Sequence, residues 1–119
     1  MALTKSFKDT VKARAERDPA FREALLAEAV ELFLGGEVDM GKVVLRDYIN
    51  ATIGFERLAG EVGLPAKSLM RMFGPDGNPR ASNLFTVLNH LQKTAGLHLE
   101  VAPGQSVREH RKGSAGAAA

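Results

Sequence analysis

The chain has 119 residues, 45% hydrophobic and 25% charged, with no cysteine. That length and balance fit one domain around a single apolar core and exclude disulfides and thiolate metal sites. No apolar run approaches the roughly 18 residues of a membrane span, and MALTKSFKDT lacks the apolar stretch of a signal peptide, so a cytoplasmic protein is expected.

The formal net charge of +2 conceals an asymmetry. Residues 1–61 carry nine Lys/Arg against eleven Asp/Glu, whereas residues 62–119 carry seven against three. The positive excess runs through Lys67, Arg71, Arg80, Lys93, Arg108, Arg111 and Lys112. Basic charge gathered on one part of a nearly neutral chain suits a polyanion-binding face, although such residues can also be solvated filler.

Residues 4–16 are predicted to form a first helix, with Phe7 and Val11 on its apolar side. Asp18-Pro19 opens a second, since Asp is a good N-cap and Pro fits the first helical turn. Phe21, Leu25, Ala29, Val30 and Phe33 make its inward stripe, and Gly35-Gly36 end it. A third helix is expected from a cap near Asp39 to about Asn50, with Val43, Val44, Tyr48 and Ile49 inward, and residues 51–54 connect it onward.

The stretch FERLAGEVGLPAKSLMRMF, residues 55–73, reads as two short helices broken by a turn at Gly63. Phe55, Leu58, Ala59 and Val62 share one helical face, and Leu64, Leu69, Met72 and Phe73 make a second. Ala59 is small where two helices must cross, and Gly63 can take the positive φ that the reversal needs. This is the pattern of a helix-turn-helix, spanning about residues 52–73, though an ordinary αα-hairpin would show similar spacing. The second helix leaves Ala66, Lys67, Met70 and Arg71 outward. Lys67 and Arg71, four apart, share a face that carries positive charge and little bulk near its leading end, as entry into a major groove requires. The same two residues would also serve as solubilising surface charges.

GPDGNP, residues 74–79, must be a compact turn, and it matches no phosphate-binding glycine motif. A further helix from about Arg80 to Ala95 faces the core with Leu84, Val87, Leu88 and Leu91, and Gly96 ends it. LHLEV, residues 97–101, alternates with the period of a short strand. A lone strand in a helical chain has no partner within it. Leu97, His98, Leu99, Glu100 and Val101 are therefore expected to pair with a second subunit about a two-fold axis. The expected fold is all-α, five to six helices with one C-terminal β-strand, forming a single domain over residues 1–101. Residues 102–119, rich in Gly, Ser, Ala and basic residues, read as a disordered tail.

Nothing points to catalysis. His90, His98 and His110 lack metal-ligand spacing, and no paired carboxylate or serine-elbow motif accompanies them, so no enzyme activity, cofactor or metal is expected.

Residues 63–101 resemble the addiction-module antidote family, HigA-like antitoxins with a helix-turn-helix of the lambda-repressor/Cro type. The marks are Leu58-Ala59, Gly63-Leu64, Ser68-Leu69, the Pro75-x-Gly77-Asn78-Pro79 turn, Val87-Leu88 and Gly96-Leu97-x-Leu99. Gly35-Gly36 and Leu45-Arg46-Asp47 extend the resemblance over most of residues 20–101. It implies a lambda-repressor-like bundle that binds operator DNA as a homodimer, represses its own operon and neutralises a RelE/HigB-type toxin. It also implies that Ala66, Lys67, Ser68, Met70 and Arg71 read DNA; the start of the preceding helix near Thr52, and the 74–80 loop with Arg80, are then expected to lie against the backbone. Pro65 departs from the family in standing where a Ser or Thr commonly caps the reading helix, and Met70 in standing where a polar or aromatic residue is usual. Two other readings share this fold: a module that sequesters a toxin while binding DNA weakly, and a transcriptional regulator without a toxin.

Overall fold

The computed structural model describes residues 3–104, with side chains from residue 9 onward. These residues form six helices: α1 (Leu3–Arg17), α2 (Pro19–Leu34), α3 (Val38–Ala51), α4 (Phe55–Val62), α5 (Ala66–Met72) and α6 (Ala81–Ala95). The fold is all-α, and among the described residues no helix is long and apolar enough to cross a membrane.

The α1–α2 junction follows the sequence closely. Asp18 caps α2, its carboxylate accepting from the Phe21 backbone N–H at 3.2 Å, with Pro19 at the start of the first turn. That N–H, followed by the Arg14 side chain, holds the Asp18 carboxyl below its usual range. Arg14 also lies over the Phe21 ring, 4.8 Å from its centre, and Arg22 donates back to the Ala15 carbonyl.

α2 and α3 make the most extensive helix pair, and α1 packs on both. Leu26 and Ala29 of α2 are buried against Leu45, Tyr48 and Ile49 of α3 in one cluster. One expected inward residue is displaced here. Val43 is exposed, and its place is taken by Leu45; on α2 Ala29 is buried and Leu26 joins it, while Phe21, Leu25, Val30 and Phe33 are half-buried. Both helices carry apolar residues on more than one side, so periodicity alone does not fix which side turns inward. The α3 start also differs. Glu37, not Asp39, holds the cap position and makes no side-chain cap bond, while Asp39 lies in the first turn.

The same core continues through Phe55, Leu58 and Ala59 of α4, Leu69 and Phe73 around α5, and Val87, Leu88 and Leu91 of α6. α4 begins at Phe55, after Gly54, and Thr52 stands at the C-terminal cap of α3.

Among the described residues of the single chain there is no strand. Residues 97–101 follow α6 without a regular element, with Leu97 and Leu99 half-buried against the core and His98, Glu100 and Val101 exposed. A strand is defined by its pairing, and one chain supplies no partner. His110, Arg108, Arg111, Lys112 and the tail expected beyond residue 104 lie outside the described residues.

Candidate nucleic-acid interface

α4 and α5 are short, and what fixes them is the turn between them. Gly63 adopts φ 76°, a left-handed conformation that a side chain would disfavour. It lets the Gly63 and Leu64 N–H groups both return to the Ala59 carbonyl, at 2.9 and 3.1 Å. This closes α4 in the manner of a Schellman end and redirects the chain at once. Pro65 is extended, with ψ 140°, and occupies the cap position of α5 rather than its first turn. It supplies no side-chain acceptor, and its carbonyl receives the Leu69 N–H at 3.0 Å.

α5 sits on the body through Leu69 and Phe73, both fully buried. Its other side carries Lys67, Met70 and Arg71, all exposed, while Ala66 and Ser68 are half-buried. Neither Lys67 nor Arg71 is ion-paired with a described residue, so both charges face solvent. Arg80 is exposed at the cap position of α6, with no side-chain cap bond. Thr52 is exposed too, but its hydroxyl donates to the Tyr48 carbonyl at 2.7 Å, which commits that group to the end of α3.

The far end of α5 is held by two cations absent from the expected site. Lys42, on α3, is only 4% exposed. Its Nζ donates to the Gly77 carbonyl at 2.7 Å and the Gly74 carbonyl at 3.1 Å, with Asp39 3.5 Å away. One turn on, Arg46 Nη1 donates to the Phe73 carbonyl at 3.0 Å. The last carbonyls of a helix have no partners within it, and its negative dipole end lies there; Arg46 meets that need at Phe73, while Lys42 holds the turn that follows. A signal for Lys42 exists in the sequence. It falls in step with Leu45 and Ile49 on the inward face, and a cation on that face must find acceptors. Gly77 lies so close to α5 that a Cβ there would collide with the Arg71 and Met72 carbonyl oxygens.

α4 is tied to α6 by Glu61. Its carboxylate lies 2.8 Å from Arg57 Nε and 2.6 Å from His90 Nε2. The Arg57 guanidinium first, and His90 second, hold the Glu61 carboxyl below its usual range. A separate groove of about 530 Å³ lies between α2, α6 and residues 99–102, where Leu34, Phe85 and Val101 remain exposed. Among the described residues no cluster of acidic, His or Cys side chains could hold a metal ion.

The arrangement thus presents a short cationic helix, seated on two buried apolar residues and tied at its far end by α3. No family model, curated protein or solved structure matches the chain.

Proposed function

We propose that the chain is a sequence-specific DNA-binding transcriptional regulator acting as a homodimer, with α4 and α5 as a helix-turn-helix of lambda-repressor type. The observation that carries this reading is the pair Lys67 and Arg71. Both are exposed, without an ion-pair partner among the described residues, and on one face of a helix seated on buried Leu69 and Phe73. α5 enters the major groove, Arg71 and Lys67 meet guanine edges or phosphates, and Ala66, Ser68 and Met70 lie along the same surface. Arg80 and the backbone near Thr52 flank the phosphates. The resemblance to HigA-like antitoxins supports a further step: repression of its own operon and capture of a RelE/HigB-type toxin.

A gel shift on the chain's own promoter, across a salt series, tests the DNA reading. Neutralised phosphates release counterions, so affinity must fall steeply with salt. Binding that ignores salt, or that is equal for the wild type and a Lys67→Ala, Arg71→Ala double variant, overturns it. A second reading, a protein-capturing module with weak DNA binding, is favoured by the apolar groove around Leu34 and Phe85. Co-purification with the product of an adjacent frame encoding a basic protein would test that step separately.

A further inference from the structure

Residues 97–101 lie between two natural stops. Gly96 is left-handed at φ 69°, which ends α6, and Pro103 has no N–H to give to a ladder. Within this span the backbone has one occupied edge. The Leu97 N–H donates to the Gln92 carbonyl at 2.9 Å, and the Leu99 N–H to the Gln92 side-chain oxygen at 2.8 Å. Both odd-numbered residues therefore turn their polar backbone toward α6. In an extended run the even-numbered residues turn theirs the other way. His98 and Glu100 make no backbone hydrogen bond among the described residues, so the outer edge is open. The side chains divide likewise: Leu97 and Leu99 toward the body, His98 and Glu100 outward at 83% and 78% exposure, where within one chain they lie 3.9 Å apart, His98 Nε2 to Glu100 Oε2.

We propose that two copies of the chain join edge to edge through residues 97–101 as an antiparallel ribbon centred on Leu99, setting His98 of each copy opposite Glu100 of the partner subunit. The pairing rests on the homodimer reading above and specifies its register. An open edge made of even-numbered residues allows three symmetric registers, centred on residue 98, 99 or 100. Centring on 98 would require Gly96 to join the ladder, although its N–H is already taken by the Lys93 carbonyl at the end of α6. The span between the two stops is symmetric about residue 99 alone. Charge selects the same register. Centring on 100 sets two carboxylates face to face, and centring on 98 sets two imidazoles face to face, whereas centring on 99 makes two reciprocal His–Glu pairs. The body-facing side agrees as well: Leu99 meets Leu99 of the partner subunit, and the 79%-exposed Val101 meets Leu97 of the partner subunit.

The chain lacks cysteine, so single cysteines report the register directly. Sedimentation of the wild type should show a dimer. Under mild oxidation Leu99→Cys should cross-link to itself, while His98→Cys and Glu100→Cys should cross-link when mixed but not alone. The exposed positions give a second arm that does not threaten the fold. His98→Glu or Glu100→Lys alone should weaken the dimer about ten-fold. The double exchange His98→Glu, Glu100→Lys should restore it. Self-cross-linking at 98 or 100, or a double exchange weaker than either single change, overturns the register. A dimer indifferent to every change places the interface elsewhere and overturns the pairing. A monomeric wild type overturns the pairing and the homodimer reading together, and the gel shift on the same sample decides separately whether DNA binding stands.

Discussion

Lys42 Nζ lies 2.7 Å from the carbonyl oxygen of Gly77, thirty-five residues further along the chain. The ammonium group is almost wholly removed from water and depends on main-chain oxygens for its hydration shell. Replacing it with Met keeps most of the volume and removes both charged hydrogen bonds. Lys42→Met should cost about 1–3 kcal/mol in urea unfolding, because two half-buried carbonyls lose their charged donor. On the proposed DNA reading it should also weaken binding, since the turn that follows α5 loses its tether. A stability equal to wild type would show that water or Arg46 replaces the ammonium.

On the proposed DNA reading, Arg71 and Lys67 can separate base contact from phosphate contact. If Arg71 grips a guanine edge, Arg71→Ala should lose roughly 1–3 kcal/mol of operator affinity and relax preference at one base position. Lys67→Ala, as a phosphate contact, should weaken all sequences alike and lower the salt slope by about one. Titrations on operator and scrambled duplexes distinguish the two. Equal losses on both duplexes for Arg71→Ala would remove it from base reading.

Acid should loosen the molecule in a defined window. The Glu61 and Asp18 carboxyls are both held below their usual ranges, so their stabilising contribution is complete above the ordinary values of 4.5 and 3.8. It is lost as pH falls through the lowered folded values. Melting temperature should therefore hold from neutrality down to that range and drop beneath it. Glu61→Gln should flatten the drop, and an unchanged acid slope would assign it to other carboxylates.

Two glycines are constrained by their neighbours. A Cβ on Gly41 of α3 would meet the Phe33 ring of α2 at 2.9 Å. Gly41→Ala should destabilise by about 1–3 kcal/mol from overpacking, less the gain of about 1 kcal/mol in helix propensity. Gly77→Ala should be worse tolerated, because its obstacle is fixed backbone. Thermal melts of the two variants give the order directly.

The parts of this fold that sequence disclosed are those set by local chemistry. Asp18-Pro19, Gly63 and Gly96 each mark a helix end through a cap or a left-handed residue, and Phe55, Leu58 and Ala59 mark a narrow apolar face with polar flanks. The choice between Val43 and Leu45 was not local. It depends on where α2 lies, and α3 offers apolar residues in both directions. Lys42 escaped for a related reason: sorting residues by polarity sends a lysine to the surface, and only the carbonyl-rich turn packed beside it makes burial tolerable. The exposure of Lys67, Met70 and Arg71 follows from the α5 pattern, whereas the Thr52 hydroxyl, bonded back to Tyr48, could not be read without the end of α3.

Because Lys42 and Arg46 bind main-chain oxygens, their grip is blind to the letters spelled between residues 74 and 79. Pro75, Asp76 and Asn78 are exposed there, so random replacement at those three sites should return many folded proteins. The count of residues is another matter. One added or missing unit carries the Gly77 oxygen out of reach and strands an ammonium ion in oil. Apart from Gly77, this stretch is thus open to rewriting, and it is closed to resizing ahead of that glycine, where a one-residue insertion library should come back empty.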